Sequence, residues 1–169
     1  MWIICFIFVN KDKYMIKNSY NPSKIVKINE FTPKYCYLLG FIWADGYIRP
    51  KDNNISIEIV KEDGILLKEL FNIKIPWAIY YRERDKRKSQ MCFSITDKEF
   101  KDFLLSFDFD KKSNYSPNKL ILQLSEENYK FFIRGIFDGD GNVYSKNSSN
   151  QITVTSSYEQ NWNHFENLF

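Results

Sequence analysis

The chain has 169 residues, of which 44% are hydrophobic and 18% are aromatic, so its composition excludes an intrinsically disordered protein. The net charge of +3 does not by itself require a nucleic-acid partner. The cysteines Cys5, Cys36 and Cys92 form no Cys-x-x-Cys pair, which favours a reduced, intracellular protein, cytoplasmic or organellar rather than secreted. The single histidine, His164, excludes chemistry that needs a histidine pair.

Residues 1–30 are interpreted as an N-terminal extension. The apolar residues 2–9 fit either a buried strand or a segment docked on the domain, and their role stays open. This stretch is too short to span a bilayer, and it lacks the charged start and cleavage site of a signal peptide. No membrane partner is therefore expected.

A helix is predicted over residues 33–45. Thr32 is a suitable N-cap, Pro33 occupies the first helical position and Gly46 is a natural C-terminal stop. The end of this segment reads LLGFIWADG.

The next residues alternate between strand and helix patterns. The isoleucines of residues 55–59 alternate with polar residues, so they are predicted to face a core. In order, the predicted elements are a strand from residue 46, a strand over residues 55–59, a helix over residues 64–71 capped by Asp63, a hairpin of residues 77–84 and 90–96, and a helix opened by the capping box Thr96-x-x-Glu99.

A second, shorter series follows a connector. Residues 109–125 contain a Ser-Pro break, and Ser125 is the predicted N-cap of a helix that ends in IRGIFDGDG. Two short strands come next, with Ile152 and Val154 predicted to face inward, and then a final helix. The second series therefore has the order αββα, whereas the first has αββαββα.

The two glycine-rich helix ends match each other position by position. Matched positions 95 residues apart predict an internal duplication. The matched pairs are Gly40 with Gly135 at the third position, Ala44 with Gly139 at the seventh, Asp45 with Asp140 at the eighth, and Gly46 with Gly141 at the ninth.

This duplication predicts a helix pair with two acids at one end. Small residues four apart lie on one helix face and allow two backbones to approach closely. A carboxylate in the last turn faces the negative end of the helix dipole, at a cost of about 0.3–1 kcal/mol. Two such acids, Asp45 and Asp140, indicate a compensating cation, and two carboxylates with few neighbours suit Mg²⁺.

The chain resembles the LAGLIDADG homing endonuclease family, with LLGFIWADG and IRGIFDGDG as its two motifs. The resemblance implies an α+β fold of pseudo-symmetric αββαββα repeats, the second incomplete, with the motif helices at their interface. Together with the residue patterns above, it divides the chain into an N-terminal extension (1–30), a first repeat (31–108), a connector (109–125) and a partial second repeat (126–169). The sixth position of the first motif, Trp43, departs from the letters of the family name.

The resemblance also implies a set of site residues. Asp45 and Asp140 would be catalytic and hold Mg²⁺ or another divalent cation such as Mn²⁺, with Ala44 and Gly139 beside them in the metal site. By position, Lys61 and Lys98 would order the water network.

Basic and polar strand residues complete the predicted site. Arginine on a two-stranded ribbon fits the major groove and its phosphates, although a solvated charged hairpin would show the same pattern. The predicted DNA-binding residues are Tyr47, Arg49, Ser56, Glu58, Arg82, Arg84, Lys86, Arg87, Lys88, Gln90, Ser94, Asn142, Tyr144, Gln151 and Thr153.

Three functions compete at this point. The first is a site-specific, metal-dependent endonuclease of double-stranded DNA, encoded in an intron or intein as part of a mobile genetic element, or free-standing. The second is a non-cleaving relative, such as an intron RNA maturase or a degenerate remnant. The third is a structural α+β protein with a fortuitous repeat, which does not explain the matched acids. The short second series also predicts completion by a second chain or a truncated product.

Overall fold

The computed structural model describes residues 30–71, 75–83, 88–146 and 149–156. The predicted final helix, His164, residues 1–29 and the hairpin residues 84–87 lie outside these ranges. No helix within these ranges is both long and apolar enough to cross a membrane.

The described elements alternate helices with antiparallel strands, which confirms the predicted α+β class. In chain order they are α1 (Pro33–Asp45), β1 (Gly46–Ile48), β2 (Asn54–Val60), α2 (Lys61–Phe71), β3 (Ala78–Arg82), β4 (Gln90–Thr96), α3 (Lys98–Ser106), a 3₁₀ turn (Phe109–Lys111), α4 (Asn118–Ile121), α5 (Glu126–Asp140), β5 (Gly141–Lys146) and β6 (Ser149–Val154).

The first seven elements build one sheet with helices on a single face. The strands are antiparallel in the order β1-β2-β4-β3. Ile55, Ile57 and Ile59 are buried, as the alternation in β2 predicts. Phe71 of α2 joins the layers through edge contacts, with ring centroids 5.1 Å from Phe41 of α1 and 4.9 Å from Phe93 of β4.

The helix starts differ from prediction at two places. Thr32 and Ser125 cap α1 and α5 as predicted. However, α2 begins directly at Lys61, so Asp63 lies inside its first turn, where negative charge suits the dipole. The cap of α3 is Asp97 rather than Thr96, because the Asp97 carboxylate accepts a bond of 2.7 Å from the backbone N–H of Phe100.

The connector between the two series packs into the core. Phe109 is buried, and its ring centroid lies 5.0 Å from that of Trp43 at the end of α1. Leu120 and Ile121 of α4 are also buried. These contacts hold residues 109–121 against the carboxyl end of α1.

The second ribbon repeats the register of the first but not its burial. Val143 pairs with Ile152 as Ile48 pairs with Ile55. Ile48 and Ile55 are 9% and 0% exposed, whereas Val143 and Ile152 are 72% and 63% exposed. The prediction that Ile152 faces a core is therefore wrong, while Val154 packs partly buried against the core.

The described part of the second ribbon lacks a helix contact that is present in the first repeat. There, α3 lies against the turn that joins β1 to β2, and Lys101 Nζ donates to the carbonyls of Arg49 and Pro50 at 3.0 and 3.4 Å. Among the described residues, no equivalent helix lies against the β5–β6 ribbon.

Candidate metal centre and nucleic-acid interface

Helices α1 and α5 pack backbone against backbone through glycine. A Cβ atom added at Gly40 would lie 1.9 Å from the carbonyl oxygen of Phe132, and one added at Gly135 would lie 2.1 Å from that of Tyr37. Real side chains do not approach so closely, so only glycine fits at both positions. The duplicated glycines thus set the distance between the two motif helices.

The same close approach brings the two acids to one end of the helix pair. A Cβ atom at Gly139 would lie 2.4 Å from the Ala44 methyl and 3.4 Å from Asp45 Oδ2. The Asp45 carboxylate therefore lies beside the last turn of α5, which carries Asp140. Burial raises the pKa of both carboxyl groups, and the negative charge of Asp140 raises that of Asp45 further.

A lysine that sequence patterns did not indicate binds the backbone carbonyls at this end of α1. Lys112 Nζ donates at 2.8 Å to each of the carbonyl oxygens of Trp43, Ala44 and Gly46. Burial lowers the pKa of this lysine, while Asp140 and Asp45 oppose that effect, and its charge in turn lowers the pKa of both acids. Lys112 thus places a positive charge at the negative end of α1.

The donor set around these residues fits a hard divalent cation. The described residues contain no group of three or more histidine, cysteine, aspartate and glutamate side chains that could hold a metal ion. A cation at Asp45 and Asp140 would therefore keep positions for water or phosphate oxygens, as Mg²⁺ usually does. The Ala44 carbonyl, by contrast, accepts a hydrogen bond from Lys112 and lies next to its ammonium group.

The two lysines assigned by position have other contacts. Lys61 Nζ lies 5.1 Å from the centre of the Tyr81 ring. Lys98 forms an exposed ion pair with Asp102. Within the described residues, neither lysine forms a hydrogen bond or ion pair with Asp45 or Asp140, so their catalytic role stays a prediction.

The polar face of the four-stranded sheet collects the strand residues singled out from the sequence. Tyr47 lies opposite Ser56, and Ser56 opposite Ser94. By strand alternation, this face lies opposite the buried isoleucines. The predicted residues on it are Tyr47, Ser56, Glu58, Arg82, Gln90 and Ser94.

Tyr80 belongs to the same face and was missed. It is 44% exposed and pairs with Cys92, two residues before Arg82. Alternation along β3 could have identified it, because an outward Arg82 requires an outward Tyr80. Arg49 lies just after β1 and pairs with Asp52 at 3.2 Å.

The second ribbon presents an equivalent polar face. Asn142 pairs with Thr153 in the register of Tyr47 with Ser56, and Tyr144 pairs with Gln151. These four side chains, Asn142, Tyr144, Gln151 and Thr153, are all exposed. Lys88 is exposed at the start of the segment before β4, whereas Arg84, Lys86 and Arg87 lie outside the described residues.

Comparison with known proteins gives a match to a family model over the last part of the chain. Residues 127–169 match the model of the LAGLIDADG-like domain. Comparison with curated proteins gave no match. Among solved structures, the chain is similar to I-DmoI in complex with DNA and Mn, with a TM-score of 0.42 and 15% identity over 67% of this chain. The chain spans 64% of that structure's chain, less than two thirds of its length.

Proposed function

We propose that this chain belongs to the LAGLIDADG family, whose domain model residues 127–169 match, and that it is a site-specific endonuclease of double-stranded DNA that uses a divalent metal ion. The observation that carries the proposal is the Asp45 carboxylate beside the last turn of α5, where Asp140 lies. Two neighbouring carboxylates with raised pKa values at one end of a helix pair favour a cation or protons that offset their charge.

Different residues of the chain would bind the metal ion, hold the helix end and contact the DNA. Asp45 and Asp140 would hold Mg²⁺ or Mn²⁺, which when bound polarises a phosphate and lowers the pKa of a bound water. Lys112 fixes the end of α1 and adds a positive charge beside the acids. The outward faces of the β1–β4 sheet and the β5–β6 ribbon would lie along the DNA and place the scissile phosphates at the acids.

Lys112 provides a test of how the site is held. We expect Lys112→Met to lower the free energy of unfolding by about 1–3 kcal/mol, because carbonyl oxygens that now accept from the ammonium lose their donor. Urea denaturation measures this change. Lys111→Met is the matched control, since Lys111 is exposed and, among the described residues, its one ion pair is a long contact of 3.8 Å with Asp108. Equal effects of the two substitutions would show that Lys112 does not hold the end of α1.

The basic hairpin provides a test of DNA contact. We expect the double variant Arg82→Ala/Arg84→Ala to bind DNA more weakly and with a flatter dependence of log affinity on log salt, because it removes positive charge from the hairpin, and fewer counterions are then released from the DNA. Titration of labelled duplex DNA at several salt concentrations measures the slope. A Lys68→Ala/Lys130→Ala variant removes the same charge from helices outside the sheet and should keep the slope. An unchanged slope in the hairpin variant would identify the hairpin as merely solvated.

A second candidate function is a non-cleaving nucleic-acid-binding relative, such as an intron RNA maturase. The exposed Val143 and Ile152 favour it, because apolar surface of this kind is typical of a protein contact. In this version, a second protein unit covers the β5–β6 ribbon and the paired acids are vestigial. Cleavage that depends on Asp45 and Asp140 would exclude it.

A further inference from the structure

An ion pair crosses the outward face of the sheet over two strand spacings. Arg82 Nη1 of β3 donates to Glu58 Oε1 of β2 at 2.5 Å. Glu58 lies opposite Cys92 and Arg82 lies opposite Gln90, so the pair passes diagonally across β4 between these residues. The Arg82 and Glu58 side chains are 44% and 32% exposed, and both are accessible to a ligand on this face.

We propose that Arg82 reads one guanine of the DNA target and that Glu58 is the positioning residue that aims it. This inference rests on the proposed DNA binding and assigns a base to one residue of that surface. Arginine is the side chain that most often recognises guanine, by donating to O6 and N7 in the major groove.

The geometry of the guanidinium group supports this assignment. Arginine presents its donors in a fixed, planar fork. A carboxylate held at Nη1 leaves the edge formed by Nε and Nη2, which matches two adjacent acceptors. Glu58 thereby restricts the rotamers of Arg82 before DNA binds.

The charge of Glu58 adds a second effect. An unpaired arginine on a DNA-facing sheet binds any phosphate within reach, which adds affinity without sequence information. The Arg82–Glu58 pair together carries little net charge, so Arg82 gains most where a base offers two acceptors. An exposed ion pair contributes little to folding stability, so stability alone does not account for this arrangement.

The chain supplies a matched control for this pair. Arg49 Nη1 pairs with Asp52 Oδ2 at 3.2 Å, three residues apart in one turn. Asp52→Asn removes the negative charge beside an exposed arginine, as Glu58→Gln does, but it leaves the Arg82–Glu58 pair intact.

The test is selection of bound sequences from a randomised double-stranded DNA pool, without a divalent metal. We expect the wild type to select guanine at one position in the half of the DNA target that contacts the outward face of the β1–β4 sheet. Arg82→Lys should reduce that preference about tenfold and leave the other positions unchanged, because lysine lacks the planar fork. Glu58→Gln should weaken the same position severalfold and steepen the salt dependence by about one unit of slope, as Arg82 becomes able to bind a phosphate. Asp52→Asn should not alter that position.

Two results would contradict the inference, and they can be told apart. A wild-type profile that Arg82→Lys leaves unchanged at every position would overturn the assignment of Arg82 while leaving DNA binding intact. A wild type that selects no sequence at all would overturn the proposed function as well. Circular dichroism of each variant checks whether the substitution has unfolded the sheet.

Discussion

Asp45→Asn or Asp140→Asn is expected to reduce cleavage of at least one DNA strand by about 10²–10³-fold or more, while DNA affinity stays within a few-fold of the wild type. Asparagine keeps the shape of the side chain but loses the charge that would hold the metal ion. The experiment compares nicking and linearisation of a plasmid that carries the selected site, with binding measured on the same sequence. Asp52→Asn, which changes an exposed acid, should cleave like the wild type. Full double-strand cleavage by either motif variant would refute the assigned roles.

The same variants should be more stable than the wild type when metal is removed. Burial raises the pKa of Asp45 and Asp140 in the folded state, so the folded protein binds more protons than the unfolded chain as these groups titrate. The contribution of the pair to stability therefore falls as pH rises from the ordinary pKa of an aspartate through the raised pKa values of the folded state. At neutral pH, we expect the ionised pair to oppose folding. Thermal unfolding in EDTA at neutral pH measures the gain, which divalent cations should abolish.

Gly135→Ala is expected to lower the free energy of unfolding by about 3 kcal/mol or more, the upper end of the cost of overpacking. The new methyl group would meet the carbonyl oxygen of Tyr37 at 2.1 Å and the backbone nitrogen of Phe41 at 2.7 Å, and neither atom can rotate away. The two motif helices would have to separate, so cleavage should fall together with stability. Urea denaturation and the plasmid assay measure the two effects.

Gly64→Ala is the matched control, because Gly64 is also a helical glycine in contact with a neighbour. Its added methyl would meet the side chain of Met91, with Cβ at 2.7 Å and Sδ at 2.9 Å. The Met91 sulfur can rotate away and only the Met91 Cβ must shift, while the higher helix propensity of alanine returns up to about 1 kcal/mol, so we expect a smaller loss than at Gly135. Equal losses at Gly64 and Gly135 would show that the α1–α5 contact has no special sensitivity.

The parts of the fold that sequence reasoning recovered depend on local chemistry. The caps at Thr32 and Ser125 and the alternation at residues 55–59 are each encoded within a few residues. The matched glycines were also readable, because a duplication gives the same signal twice. The first αββαββα repeat could therefore be predicted in order from local patterns.

The parts that were missed depend on tertiary contacts. Lys112 lies beside the equally basic Lys111 in the connector, and nothing in that spacing indicates that only one of them reaches the carbonyls of α1. Ile152 has the alternation of a buried strand residue, but alternation identifies a face and not what covers it. Both facts follow from where distant elements pack.

The most direct test of the central claim is cleavage of a randomised double-stranded DNA library by the purified protein in Mg²⁺, followed by sequencing of the cut ends. The proposed function predicts that the cut ends cluster at one sequence and disappear when EDTA replaces Mg²⁺ or when Asp45→Asn/Asp140→Asn replaces the wild type. The absence of wild-type cut ends above background, or cut ends that persist in the double variant, would contradict it.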